Sequence, residues 1–274
     1  MAMMLIDQIK DTACKTAEAD AIRAKTGDSA QLAYDWANNK GFADAIAAIP
    51  SGGGGDTLDD YLEGTCSDDY SNDNITTLNA FAFYRYPSEC SGLKHFNLKN
   101  ATSIGQSAFY LMAQLQTIFA PKAGLNGSCF YGSRGLETAV VSGYAGNIAT
   151  NGQCFMRYAT PHLLKTVDMV YKKNGIAKQF FKNADSFDTL ILREAAIFPL
   201  GGTDAFDGTP FASGGTGGTI YIPKTLYDHL GDNSANDYKA ATNWSTVNGY
   251  GTITWAKIEG SIYENAYADG TPIS

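Results

Sequence analysis

The chain has 274 residues, of which 20 are basic and 28 acidic, so its formal net charge at pH 7 is −8. Nucleic-acid binding is disfavoured, because neutralising phosphates requires a surplus of Lys and Arg. No apolar run approaches the ~18 residues of a membrane-spanning helix. No basic segment precedes Asp7, so we expect neither a membrane span nor a signal peptide. Five cysteines without a C-x-x-C pair argue against a disulfide scaffold and a zinc site.

Residues 1–50 have the pattern of a small helical segment. Apolar residues at helical spacing predict a first helix, and residues 41–49 predict a second helix that ends at Pro50. With so few large apolar groups the segment is marginal alone, so we expect it to pack against a partner or in a small oligomer. The apolar residues of the first helix are Leu5, Ile9, Ala13 and Ala17.

Residues 51–74 have the composition of a linker. Four consecutive glycines oppose regular structure, and residues 56–74 carry seven acidic and no basic side chains. Repulsion among these charges is expected to extend the tether. The oxygen-rich run from Asp69 to Asp73 offers Ca²⁺ ligands as an alternative, but it lacks the central Gly and final Glu of an EF-hand. Because these two residues are missing, we favour a solvated linker. Residues 75–274, by contrast, are nearly neutral at +1.

Residues 75–223 contain a repeat built around an aromatic anchor. The anchors recur at intervals of 26, 21, 25, 26 and 25 residues. An apolar residue follows each of the first five anchors, with further apolar residues at +3 and +5 from it, as in a short strand with one buried face. Because one unit cannot bury its apolar side alone, we expect stacked units with a ladder of strands. The anchors are Phe83, Phe109, Phe130, Phe155, Phe181 and Phe206.

The clearest unit, SIGQSAFYLMAQLQTIFAP at residues 103–121, resembles the BspA-like leucine-rich repeat family. The segment DAFDGTPFASGGTGGTIYIPKTLYDHL with the later DYKAATNWS, at residues 204–245, is similar to that family's terminal repeat and helical cap. The resemblance implies an α+β fold, a leucine-rich-repeat-like solenoid with a short-strand ladder, preceded by the small helical segment. Its implied boundaries are repeats over 75–223 and a C-terminal cap over 224–274.

A second resemblance concerns the N-terminal segment. ADAIRAKTGDSAQL and GFADAIAAI, within residues 19–49, are similar to a segment common in tail-associated proteins of bacteriophages and prophages. This implies a structural protein of a particle (tail, baseplate or fibre), assembled in the host cytoplasm and attached to other virion proteins through residues 1–50. By analogy with projecting fibres it could form a homotrimer. The alternative is a bacterial cell-surface adhesin, which predicts a signal peptide or a wall anchor.

Large side chains follow the anchors where the BspA-like family usually carries small ones. Tyr and Arg dominate recognition hot spots, so we predict a stripe along one flank that binds a host cell-surface protein or glycan. The alternative is that these side chains fill gaps in irregular units. The predicted stripe comprises Tyr84, Arg85, Tyr86, Tyr110, Met112, Tyr131, Arg134, Met156, Arg157, Tyr158 and Lys182.

Signatures of catalysis are weak. None of the three histidines lies in H-E-x-x-H, and the chain contains neither G-x-S-x-G nor G-x-x-x-x-G-K. A glycan hydrolase requires facing carboxylates, and the acids in the strand segments are Glu137, Asp168 and Asp188, with Asp168 out of register. We therefore expect a non-enzymatic protein without a cofactor or metal.

Four residues have structural interpretations. Cys129 and Cys154 occupy the small position before an anchor, where we expect buried thiols, with a disulfide between neighbouring units as the alternative. Trp244 and Trp255 are expected to cover the open end of the stack, Trp255 on a closing strand.

Overall fold

The computed structural model describes residues 69–71, 73–83, 94–156 and 162–273, and their strands form two parallel sheets. Across the larger sheet the strands are β1 (Asp69–Ser71), β3 (His95–Asn97), β5 (Thr117–Phe119), β7 (Thr138–Val141), β8 (Thr166–Met169), β9 (Thr189–Leu192), β10 (Gly218–Ile222) and β11 (Ile253–Lys257). The smaller sheet contains β2 (Thr77–Leu78), β4 (Ser103–Ile104) and β6 (Gly124–Leu125). Helices are short: a 3-10 turn at Thr203–Phe206, α1 (Lys224–Tyr227) and α2 (Trp244–Gly249).

At this coarse level the structure agrees with the expected α+β repeat fold. The helical segment predicted for residues 1–50 lies outside the described residues, as does most of the linker predicted for 51–74. The end of that linker needs a correction. Asp69–Ser71 form β1, which pairs with β3, and Tyr70 is buried against Phe83 and Phe96. Because the Tyr70 ring is buried in the core, this part of the acidic run forms a strand and not a linker.

Strands of the larger sheet bury alternate side chains. In β5, Ile118 is buried, whereas Thr117 and Phe119 on either side of it are half-buried on the opposite face. Neighbouring strands pair without a register shift, so the buried positions form one continuous apolar layer. The strands predicted from the apolar +3 and +5 positions are confirmed. The layer consists of Phe96, Ile118, Ala139, Val167, Leu190 and Ile220.

The six anchors form a second continuous layer. Successive rings stack nearly parallel, with centroids 5.3, 5.2, 5.1, 5.6 and 5.4 Å apart from Phe83 to Phe206. Backbone hydrogen bonds hold the same register, since the Phe109 N–H donates to the Cys129 carbonyl (2.7 Å) and the Phe130 N–H to the Cys154 carbonyl (2.9 Å). The anchors stack although their sequence intervals differ, because the additional residues lie in the connections between anchors and strands. The units stack as predicted.

The C-terminal residues close one end of the core. The Trp244 indole N–H donates to the Phe198 carbonyl (2.7 Å), and the Tyr238 hydroxyl accepts from the Phe198 N–H (2.9 Å). Trp255 packs on both aromatic rings, with centroids 5.3 Å from Tyr238 and 6.0 Å from Trp244. Trp255 lies on β11, which pairs with β10, so the predicted closing strand is confirmed. Among the described residues, no helix has the length and hydropathy needed to cross a membrane.

Candidate ligand-binding surfaces

Side chains that directly follow the anchors form a row on one flank of the stack. The Leu111 N–H donates to the Tyr131 carbonyl (2.8 Å), and the Gly132 N–H donates to the Met156 carbonyl (3.0 Å). The Tyr110 and Tyr131 rings stack with centroids 4.9 Å apart and an interplanar angle of 8°. We call this half-buried set the flank row: Tyr110, Tyr131, Met156 and Lys182.

The prediction that Met112 belongs to the stripe is wrong. Leu111 has a φ of 59°, which reverses the chain after Tyr110, and the Met112 N–H donates back to the Phe109 carbonyl (3.2 Å). Met112 consequently points into the core, with 0% of its surface exposed. Two residues after the anchors of other units, Gly132, Asn183 and Gly208 also have a positive φ, which their residue types favour. Leucine rarely adopts this conformation, so the turn in this unit was missed.

The remaining predicted stripe residues divide into two groups. Arg134 is exposed but lies four residues after its anchor, on a turn whose carbonyl accepts the Leu163 N–H (3.0 Å), so it is outside the flank row. The others lie outside the described residues, and their part in the stripe stays a prediction. They are Tyr84, Arg85, Tyr86, Arg157 and Tyr158.

A second row lies on the outer face of the larger sheet, which we call the ladder face. One threonine from each of five adjacent strands occupies the same register position, and all five are half-buried. His95 continues the row at one end, where its Nδ1 lies 2.8 Å from the Thr117 hydroxyl, and Thr254 continues it at the other. We call these residues the threonine row: Thr117, Thr138, Thr166, Thr189 and Thr219.

Charged side chains border the threonine row along the residues just before it. The Lys165 N–H donates to the Glu137 carbonyl (3.0 Å) and the Asp188 N–H donates to the Lys165 carbonyl (3.2 Å), so the three residues are neighbours in successive units. All three are exposed. Glu137 and Asp188 share a register, as expected, but Lys165 lies between them. The arrangement is a row of alternating charge, and it brings no two of these carboxylates together.

Neither the repeat architecture nor the two rows identifies a family. No protein-family model, curated protein or solved structure matches the chain. The function is therefore inferred from the geometry of the described residues and from the sequence resemblances.

Residues 258–273 fold back across the ladder face, and we call them the C-terminal strap. The strap begins at Ile258, whose N–H donates to the Ile222 carbonyl (3.0 Å). It crosses the strands in reverse order: Tyr263 packs on Tyr221 with centroids 4.9 Å apart, and Tyr267 packs on Phe119 at 5.4 Å. The strap thus covers the outer row next to the threonine row.

Coverage by the strap explains two buried residues on the outer face. Val140 and Ile191 are each 0% exposed, although both stand outside the main core cluster and in register with Asp168. Alternation along their strands points both side chains away from the core. The strap therefore makes a second, thin apolar layer over the sheet.

An ion pair fastens the strap to the sheet. The Arg193 guanidinium donates to both oxygens of the buried Asp168 carboxylate, each at 2.7 Å, and to the carbonyls of Tyr263 and Ala266, each at 2.8 Å. The Ala268 N–H donates to the same carboxylate at 2.9 Å. Burial raises the pKa of the Asp168 carboxyl, and the Arg193 hydrogen bonds and charge oppose that rise. Asp168 is thus a structural residue of the strap.

The buried thiols behave as expected for small core groups. Cys129 and Cys154 are free and fully buried, at the position that Ala108 and Ala205 occupy in other units. The Cys154 Sγ lies 3.2 Å from the Asn126 carbonyl, and burial raises its pKa well above the ordinary value. In the described part of the chain, no three His, Cys, Asp or Glu residues are arranged to hold a metal ion.

Sequence reasoning missed the threonine row and the strap. The row has a detectable signal: in each of five units a threonine immediately precedes the buried strand residue, as in Thr117-Ile118 and Thr189-Leu190. The strap has none, because Asp168 and Arg193 contact residues 70 to 100 positions away in the sequence.

Proposed function

We propose that the chain is a structural protein of a phage or prophage particle whose repeat units bind a ligand on the host cell surface. The resemblance of residues 19–49 to tail-associated proteins supports attachment to the particle. In-register strands and stacked anchors support a leucine-rich-repeat-like solenoid of the BspA-like kind over residues 75–223. Residues 224–274 complete it as a C-terminal cap.

The flank row is the observation that carries the binding role. Tyr110 and Tyr131 place two parallel rings at the surface, and Met156 and Lys182 extend the row over two further units. Tyrosine combines a large apolar area with a hydroxyl at a low entropic cost of ordering, which suits recognition. Arg85 and Arg157, predicted at neighbouring positions, would add cations that favour an anionic cell surface.

The positions of the three strand carboxylates agree with a binding role that involves no catalysis. Glu137 and Asp188 are separated by the unit that carries Lys165, and Asp168 is held by Arg193 beneath the strap. A glycosidase needs two carboxylates that face one sugar linkage. These three acids therefore favour a structural protein over a hydrolase.

The particle assignment is tested by the composition of purified particles. Mass spectrometry of particles from the producing strain is expected to detect this polypeptide at a fixed ratio to the major tail protein. Gold-labelled antibodies against residues 94–156 should mark one part of the particle. Particles that lack the polypeptide would overturn the assignment, and labelling of the bacterial surface without particles would favour the adhesin.

Replacing two members of the flank row is expected to weaken host binding without unfolding the protein. The double variant Tyr110→Ala/Lys182→Ala should lower the affinity of the full chain for host cells at least tenfold, because it removes an aromatic surface and a charge. Binding is measured with labelled protein, and stability as the midpoint of thermal unfolding. The matched control is Tyr171→Ala/Lys173→Ala, since both residues are exposed on another surface. If the flank variant binds less only because it is largely unfolded, the gap-filling interpretation is favoured instead.

A further inference from the structure

Three of the five hydroxyl groups of the threonine row are available to a ligand, whereas those of Thr117 and Thr189 bond to His95 and Asp188. Within the described part of the chain, those of Thr138, Thr166 and Thr219 make no hydrogen bond to another protein group. They are not among the buried polar atoms without a partner, so they reach solvent. Each hydroxyl can both donate and accept a hydrogen bond. The row therefore presents three unused hydroxyls, with two bonded ones between or beside them, on a paired sheet.

The spacing of the row limits the kind of ligand that fits. Five adjacent parallel strands repeat the hydroxyl at about 4.8 Å, over about 19 Å in total. An extended peptide presents same-side groups only every second residue, at about 6.6 Å, and so falls out of step with the row. The sugar rings of a linear polysaccharide recur at about the strand spacing. Alternate rings are turned over, but each ring carries polar groups on both of its edges, so every strand position still meets a group that donates or accepts.

The residues on either side of the threonine row limit the chemical class of the ligand further. On one side the exposed charges alternate in sign from Glu137 through Lys165 to Asp188, so they present no uniform field to a polyanion or polycation. On the other side stands the C-terminal strap with the half-buried Tyr263, whose ring packs edge-on against Tyr221, on the same face of β10 as Thr219. The Tyr263 ring therefore adds aromatic surface at the strap side of the row.

We propose that the ladder face binds a linear, uncharged polysaccharide along the threonine row, between the charged border and the C-terminal strap. The hydroxyls of Thr138 and Thr166 exchange hydrogen bonds with successive sugars, and the border carboxylates accept from further sugar hydroxyls. This site is distinct from the flank row. It does not depend on the particle assignment, which the composition of particles tests separately.

Calorimetric titration of the full chain tests the proposal. The probes are cellohexaose and chitohexaose as linear uncharged oligosaccharides, maltohexaose as a curved one, and a sulfated hexasaccharide as an anionic one. We expect at least one linear uncharged probe to bind more than tenfold tighter than the curved and anionic probes. Failure of both linear probes to bind, or preference for the sulfated probe, overturns the proposal.

Threonine variants locate the binding. Thr138→Val/Thr166→Val removes two hydroxyls and keeps the branched shape, so the affinity should fall at least tenfold, whereas Thr138→Ser/Thr166→Ser should stay within about threefold of the unchanged chain. Thr77→Val/Thr225→Val is the matched control, because both threonines are exposed elsewhere. If the Val variant unfolds, the test is the change of NMR amide chemical shifts when the oligosaccharide is added to the unsubstituted chain. Changes at the threonine row support the site. Retained affinity in a folded Val variant, or shifts confined to the flank row, contradicts it.

Discussion

Replacing Arg193 with Ala is expected to lower the free energy of unfolding by about 3–5 kcal/mol, as is usual when one partner of a buried ion pair is removed. The Asp168 side chain is 0% exposed and the Arg193 side chain 10%, so the abandoned carboxylate stays buried without its counter-ion. The strap also loses the two bonds to its carbonyls. Urea unfolding at pH 7 measures the change, and hydrogen exchange at the Ala268 amide reports release of the strap.

Two further variants separate the ion pair from a general effect of removing arginine. Arg134→Ala should change stability by no more than about 0.5 kcal/mol, because Arg134 is exposed. Asp168→Val/Arg193→Met should recover part of the loss, since it leaves no unpaired buried charge. An Arg193→Ala variant as stable as Arg134→Ala would show that the ion pair does not fasten the strap.

Replacing Phe130 with Ala is expected to cost about 3–5 kcal/mol, the usual range for a fully buried phenylalanine. Phe130 is 1% exposed, and its ring stacks on Phe109 on one side and Phe155 on the other, at 5.2 and 5.1 Å. Its loss opens a cavity in the middle of the anchor layer and interrupts two stacking contacts. Chemical denaturation provides the measurement, with the slope of unfolding checked for a change from two-state behaviour.

The neighbouring Tyr131→Ala is the control for this prediction. Tyr131 is half-buried on the flank row, where its ring stacks on Tyr110 near the surface, so its removal should cost about 1 kcal/mol or less. Equal effects at the two positions would contradict the assignment of Phe130 to the core and Tyr131 to the flank.

Features that recur in every unit were predictable from the sequence. An anchor such as Phe109 and a strand residue such as Ile118 return at nearly constant offsets, and period-two alternation marks the strands. Stacking then follows, because no unit can bury both residues alone. The register of Glu137 with Asp188 follows from the same offsets.

Features that occur once were not predictable. Contact between Arg193 and the strap depends on how a distant segment folds back over the finished sheet. The sequence places Tyr70 in an acidic linker, because the residue its ring packs on, Phe96, belongs to another strand. Patterns within a unit specify the stack, whereas contacts between distant units specify its surfaces.

Both proposed binding rows depend on one claim, that the eight strands of the larger sheet pair in register. Nitroxide labels at the exposed residues Asp69 on β1 and Thr254 on β11 test this claim by pulsed electron spin resonance. Cys129 and Cys154 are first replaced by Ala, the residue at equivalent positions of other units, and the other three cysteines by Ser. Seven strand spacings predict one narrow distance distribution centred near about 34 Å. A broad distribution, or a centre displaced by two or more strand spacings, would contradict the in-register ladder and both surfaces built on it.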